Sequence, residues 1–306
     1  EPSKLVTAPA GTVAKGGTWK LSPTQNDAFA AVARFLKAGA DVYRGLDGNF
    51  YVPATGKSRP VAAKAAQELG LDFAAGKRPS GAQKLSAPRI ALFDRYGGSM
   101  PSGHTRWLLE QFGIGSTDIF PQELDAGNLR ARYDVIVFPD GSIPAIGGRG
   151  GRGGRGGRGG GFDGAGPDTS SLPAEWRKTT GSVTADKTVP QLKAFMQAGG
   201  RVVTIGASTS LATHLGLPVE SYLTEGGRPL PQEKYFVPGS ILQASFDTTA
   251  MVTKGMAATA NVFYDNSPVF KLGPDAASRG VKRIAWYEKS PLTSGWAWGE
   301  QYLEGG

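Results

Sequence analysis

The sequence predicts an α/β fold: a doubly wound, mostly parallel, flavodoxin-like sheet with antiparallel strands added toward the C-terminus. Three observations lead there. From Arg89 onward, short apolar runs alternate with segments of about ten residues at helical spacing, the pattern of successive βαβ units. The runs IALF, VIVF and VVTI are apolar throughout, as central strands buried on both faces of a parallel sheet are. After Pro218 the chain becomes β-rich, with YFVPGSILQASFD, NVFYD and VKRIAWYEK.

The elements follow in order. Residues 1–81 read as an α/β connecting segment. Within it, residues 26–38 place Phe29, Val32, Ala33 and Leu36 on one face of a helix that stops at Gly39. Residues 41–46 and 49–53 read as strands around the hairpin-type turn Asp47-Gly48, and residues 60–69 as a helix ending at Gly70. Residues 77–88, rich in proline, serine and glycine, read as a connector. Residues 89–306 then form the main domain: strand RIALF, a glycine-containing loop, helix 104–112, strand TDIF, helix 121–129, strand DVIVFP, an insertion, helix 189–198, strand RVVTI and helix 210–215. The later β-rich stretches read as antiparallel additions to this domain.

Composition narrows the function classes. At 306 residues and 40% hydrophobic content the chain can bury one large core or two smaller ones. No apolar run approaches the ~20 residues that span a bilayer. Cysteine is absent and only His104 and His214 are present, so thiol chemistry is excluded and histidine acid–base chemistry is scarce. The net charge of +8 includes Arg149, Arg152, Arg155 and Arg158, spaced every third residue among glycines in residues 147–161. Without them the balance is about +4, an ordinary value. With nothing apolar to bury, the tract reads as a flexible loop extending to residue 171, not as a domain. RNA-binding arginine–glycine tracts carry more repeats and interleaved aromatics, so a nucleic-acid partner is not expected. The first residue is Glu1, so the expectation is that an upstream segment was removed or belongs to a longer polypeptide.

The segment GGRVVTIGASTSLATHLG reads as a strand turning sharply into a helix, the elbow on which many α/β enzymes expose a nucleophile. Here it carries Gly206, Ala207 and Ser208, with glycine at the nucleophile position. Ser208 reads as a helix cap. In a doubly wound sheet the crevice lies at the carboxyl ends of the strands, which gathers Asp94, Arg95, Ser99, His104 and Asp140 as a possible ligand site. Ser208, His104 and Asp140 supply the residue types of a serine hydrolase triad, kept as an alternative. Asp134 and Asp140 stand at opposite ends of one strand and cannot act as a pair. GGSMPSG lacks the lysine of a phosphate loop, and two histidines this far apart make no metal site. Trp107, Trp286, Trp296 and Trp298 read as core or domain-contact residues in preference to a carbohydrate or peptide groove.

Several motifs taken together carry a family resemblance: RIALFDRYGGSMPSGHTRWLLEQFGI, LDAGNLRARYDVIVFPDG, AGGRVVTIGAS, KYFVPGSILQASFD and NVFYDNSPVF. In this order, and with the arginine–glycine insertion where it is, they resemble the class I glutamine amidotransferase-like domain at the C-terminal end of bacterial zinc carboxypeptidases. The resemblance covers residues 26–306. It implies an amidotransferase-like fold and, as the expected role, a non-catalytic structural or interaction domain of a carboxypeptidase A-like zinc peptidase. Zinc is then expected only in an upstream peptidase domain, because this chain has no His-x-x-Glu pair and needs no cofactor of its own. The partner implied is another segment or chain of the same parent, in the periplasm or outside the cell. Active amidotransferases carry an elbow cysteine and a later histidine with a carboxylate; Gly206 stands at the first position, and His214 is the one histidine after it. Two alternatives remain: a fragment of an active secreted metallocarboxypeptidase, and a small-molecule or peptide-binding module or Ser208-dependent hydrolase.

At the C-terminus, SGWAWGEQYLEGG reads as a strand running to the turn-forming pair Gly305-Gly306. The expectation is that it lies at an edge covered by further residues or by another chain. For the arginine–glycine tract, deleting residues 147–161 is expected to leave the thermal unfolding midpoint nearly unchanged, because no apolar burial offsets the entropy of ordering it. Calorimetry of the deletion variant checks this, and a fall of many degrees would contradict it.

Overall fold

The computed structural model describes residues 9–146 and 169–306. The arginine–glycine tract at 147–161, and the insertion expected from it as far as residue 168, lie outside the described residues. The chain divides into two compact units. The first comprises Glu1–Ala87, Leu109–Ile114 and Ser245–Ala260; the second comprises Pro88–Leu108, Gly115–Ala244 and Asn261–Gly306.

Residues 9–87 hold a core of their own. Strand β1 (Thr18–Leu21), helix α1 (Asp27–Lys37), β2 (Tyr43–Arg44), β3 (Phe50–Pro53), α2 (Ser58–Leu69), β4 (Ala74–Ala75) and β5 (Gln83–Lys84) follow in sequence. The sheet order is β4-β1-β3-β2-β5, with β1, β2, β3, β4 and β5 paired antiparallel. The order 4-1-3-2 for a β-α-β-β-α-β chain is the split βαβ arrangement. Alternation along each strand sends Trp19, Leu21, Phe50 and Val52 into one core with Phe35, Ala62, Leu71 and Phe73. Trp19 and Phe35 both meet Phe73 edge to face.

Two expectations change in this region. The buried face of α1 is Ala28, Ala31, Val32 and Phe35, one residue away from the face expected, and Phe29 is 41% exposed. Alanines let the helix lie close to the sheet, so the large Phe35 ring fills the core while Phe29 covers only the flank of Phe50. The connector at 77–88 also contributes β5, an edge strand whose Lys84 pairs with Tyr43.

The second unit is built on a parallel sheet of β6 (Ile90–Phe93), β7 (Thr117–Ile119), β8 (Val135–Phe138) and β9 (Arg201–Thr204), in the order β7-β6-β8-β9. The order reverses between β6 and β8. Their entry ends are clamped by Arg89, which donates through backbone N–H, Nε and Nη2 to Asp134. These bonds, with a further one from Arg130, hold the Asp134 carboxyl well below the usual carboxylate range. Between the strands run α3 (Met100–Gln111), α4 (Pro121–Asp125), α5 (Leu129–Arg132), α6 (Ala174–Arg177) and α7 (Thr188–Gln197), and α8 (Leu211–His214) follows β9. Phe93, Ile119, Ile136, Phe138, Leu192 and Phe195 form the core of this sheet and its helices.

Three more boundaries differ from the sequence reading. Helix α3 begins at Met100, not at residue 104, because the Ser99 hydroxyl accepts the Ser102 N–H and Pro101 sits in the first turn. The helix expected over 121–129 is broken by two successive left-handed residues, Gly127 and Asn128. The VVTI strand lies at the edge of the described sheet, where Val203 is 46% exposed, so it is not a fully buried central strand.

Beyond α8, β10 (Val219–Ser221) pairs with β15 (Phe270–Leu272), and β11 (Thr224–Glu225) pairs with β12 (Arg228–Pro229), both antiparallel. Strands β13 (Ser240–Phe246), β14 (Thr259–Tyr264) and β16 (Ala285–Gly295) form a separate sheet in the order β14-β13-β16. The strand expected to end near Leu303 is instead a 3-10 turn over Glu300–Leu303, with Leu303 buried beside Val237, Leu242 and Tyr264. Gly305 and Gly306 exchange backbone bonds with Tyr287.

The position of α1 can be tested directly. Phe35→Ala is expected to cost about 3–5 kcal/mol and Phe29→Ala about 1 kcal/mol or less, measured by denaturant unfolding. Equal losses would show that the helix presents a different face.

Candidate functional site

Strand β9 leaves the sheet at Ile205, takes a left-handed turn at Gly206 (φ +57°), and enters a 3-10 turn over Gly206–Ser210 before α8. This is the sharp strand-to-helix corner expected of an elbow. What surrounds it decides its chemistry.

Asp140, two residues past the end of β8, reaches across to this corner. Its Oδ1 accepts the backbone N–H of Ala207 at 2.6 Å. A Cβ on residue 206 would lie 2.7 Å from Asp140 Cγ and closer still to Oδ1. At an active elbow, position 206 carries the nucleophile and the next amide stabilises the oxyanion. Here one carboxylate occupies the space of the first and binds the second.

Ser208 is fully buried and is not a helix cap. Its hydroxyl donates to Pro139 O at 2.5 Å and accepts the N–H groups of Ser142 at 2.9 Å and Ile143 at 3.2 Å. The hydroxyl therefore has no free donor and faces no open space. It fixes the loop after β8, which Ser210 also bonds at Ile143 O. His214, at the end of α8, is 2.7 Å from Pro144 O; a proline carbonyl only accepts, so the ring nitrogen donates.

The candidate triad does not assemble. His104 is exposed on α3, and among the described residues no hydrogen bond links it to Ser208 or Asp140. The possible crevice residues are distributed among separate tasks. Asp94 follows β6, accepts its neighbour Arg95's N–H at 2.9 Å and pairs with Arg106 at 3.2 Å. Arg106 also pairs with Asp118 at 2.7 Å, and these two carboxylates raise its already high pKa against the opposing effect of burial. Ser99 caps α3. Of these candidates, Asp94 and Arg95 follow the end of β6 and Asp140 follows the end of the adjacent β8.

The sequence reading missed Ser102 and Arg106. Ser102 is fully buried and donates to Phe93 O at 2.8 Å, tying α3 to the end of β6. Trp107, Trp296 and Trp298 are more than half exposed, so of the expected core or domain-contact roles the core one does not hold for them. Among the described residues no group of three or more His, Asp or Glu side chains is placed to hold a metal ion. No helix among them is long and apolar enough to cross a membrane.

Ser208→Ala is expected to lower stability by about 2–3 kcal/mol, because two N–H groups and a carbonyl lose their common partner. Gly206→Ala is expected to cost at least ~1–2 kcal/mol from the left-handed backbone and the collision with Asp140. Chemical denaturation measures both, and a neutral Gly206→Ala would show that Asp140 does not fill this space.

No protein-family model matches the chain, and no curated protein matches it in sequence. Among solved structures, the crystal structure of a ThuA-like protein from Bacteroides uniformis aligns with a TM-score of 0.32 and 11% identity. The alignment covers 72% of this chain and 79% of that one.

Proposed function

We propose that this chain is a non-catalytic structural or interaction module with a doubly wound, flavodoxin-like domain whose amidotransferase-like elbow has become a structural corner. The observation that carries the reading is the Asp140 carboxylate on the Ala207 amide, in the space a side chain at 206 would need. The burial and threefold bonding of Ser208 support the same reading. An interaction role is supported by the edge of β9, where Val203 and Ile205 are both more than 40% exposed. On this reading the motif resemblance makes the chain a companion of a zinc carboxypeptidase-like catalytic domain, either another segment of the same parent or a separate chain, in the periplasm or outside the cell.

The test is incubation of the purified chain with glutamine and with activated esters. Ammonia or phenolate release at the rate of buffer alone is the expected result. Turnover above that level, lost in Ser208→Ala while a matched destabilised variant such as Val137→Ala keeps it, would overturn the proposal in favour of a serine hydrolase.

A further inference from the structure

The connection between β4 and β5 crosses the open face of the first unit's sheet. The order β4-β1-β3-β2-β5 puts these two strands on opposite edges, so residues 76–82 must pass over β1, β3 and β2. They pass on the face away from the helices. Trp19, Leu21, Phe50 and Val52 point to the helices, so the alternate residues Thr18, Lys20, Tyr51 and Pro53 point the other way, as does Tyr43 opposite Tyr51. Gly76 crosses directly above Lys20: a Cβ there would lie 2.8 Å from Lys20 Cβ. Arg78 lies with its guanidinium 4.0 Å from the centre of the Tyr43 ring. Tyr51, beneath the strap, is buried and donates to Asp47 at 2.7 Å.

Beside the strap is an open groove of about 530 Å³. The cross-strand pair Thr18 and Pro53 lines it together with Gly17, Gly76, Lys77 and Arg78. Two cations and no acid line it. Among the described residues neither Lys77 nor Arg78 has a carboxylate partner within ion-pair distance, and Lys20 beside them has none either. The charge of the surroundings agrees: residues 1–87 contain twelve Lys and Arg against six Asp and Glu, whereas residues 88–306 contain twenty-two against twenty.

We infer that this groove binds the phosphomonoester group of a small organic molecule, held by Lys77 and Arg78. A phosphomonoester carries about −1.5 to −2 charges and so matches two adjacent cations, where a single carboxylate would match one. Stacking on Tyr43 holds the Arg78 fork in place before the ligand arrives, which reduces the ordering cost of binding. The volume falls within the ~300–1,000 Å³ of small-molecule sites and leaves room for the organic part beyond the phosphate. A nucleic-acid strand fits less well. Strand binding on a sheet face needs aromatic rings free to stack with bases, and here Tyr51 is buried while Tyr43 is covered by Arg78. The inference is independent of the elbow at Gly206, so either can fail without the other.

The experiment is an amide chemical-shift titration of the isotopically labelled full chain with glucose 6-phosphate, phosphoserine and adenosine monophosphate at millimolar concentration. Glucose, serine and adenosine serve as uncharged or unphosphorylated controls. At least one phosphate ester is expected to move the amides of Gly17, Thr18, Gly76, Lys77 and Arg78, while its control does not. Arg78→Ala should weaken that binding roughly tenfold or more. Gly17→Leu should abolish it with little change in stability, because a Cβ at Gly17 meets nothing within 4 Å and the added side chain enters open space. Lys64→Ala, on helix α2, should bind as the unaltered chain does. No response to any of the three esters, shifts confined to other residues, or unchanged affinity in both Arg78→Ala and Gly17→Leu would overturn the inference.

Discussion

A carboxylate and a glycine exclude each other's alternatives at the corner after β9. Asp140 can bond the Ala207 amide only because residue 206 has no side chain, and residue 206 can turn left-handed at low cost for the same reason. The bond then sets the loop after β8 against the corner after β9. Ser208 completes the joint by satisfying three backbone groups of residues 139–143 through one buried oxygen. Strands β8 and β9 are thereby locked together at their carboxyl ends, while Arg89 and Asp134 lock β6 to β8 at the entry ends. On the proposed reading, the same atoms that make the joint take up the space and the amide that a nucleophile elbow would use. An amide whose N–H points at a fixed carboxylate is not available to a developing oxyanion, and a carboxylate there would repel one.

Much of this second unit was legible in the sequence because it depends on local patterns. Apolar runs gave β6, β8 and β9 nearly to the residue, and in the first unit Gly70 likewise marked the end of α2 in the left-handed conformation it adopts. The position of the elbow and the empty place at Gly206 were also readable, since both are features of residue type along the chain. The role of Ser208 was not. A serine just past a strand is equally suited to capping a helix or bonding a distant loop, and only the tertiary fold brings residues 139–143 around it. Edge position is similarly hidden: VVTI has the composition of a central strand, yet its exposure depends on which strands lie beside it.

The first unit shows a different limit. Helix α1 was placed correctly along the chain but rotated by one residue, because Phe29 and Phe35 are equally apolar and four alanines fit either face. The choice falls to Phe35 because its ring meets Phe73, a contact between residues 38 positions apart that periodicity does not encode. The two-residue strand β5 lies in the stretch 77–88 whose glycine and proline content reads as connector, and the equally short β4 lies just before it. They exist because antiparallel partners were waiting at both edges of the sheet.

That sheet order has a consequence for where charge accumulates. A chain that must travel from one edge to the other over the open face needs polar residues that tolerate both water and the sheet beneath, and long basic side chains meet this need by laying their stems on the surface. Gly76 allows the crossing to begin tight against Lys20, and Pro79 closes over Gly45. Lys77 and Arg78 therefore stand between two fixed points, on a face where Asp47 is already engaged by Tyr51 and Asn49, and Asp41 by Lys84. Two of the twelve cations in the first 87 residues thus line the groove that the fold leaves. Residues 88–306 are nearly balanced in charge, and there Asp140 fills the corner after β9. The two units differ in this respect: one satisfies its corner internally, and the other sets two cations side by side in an open groove.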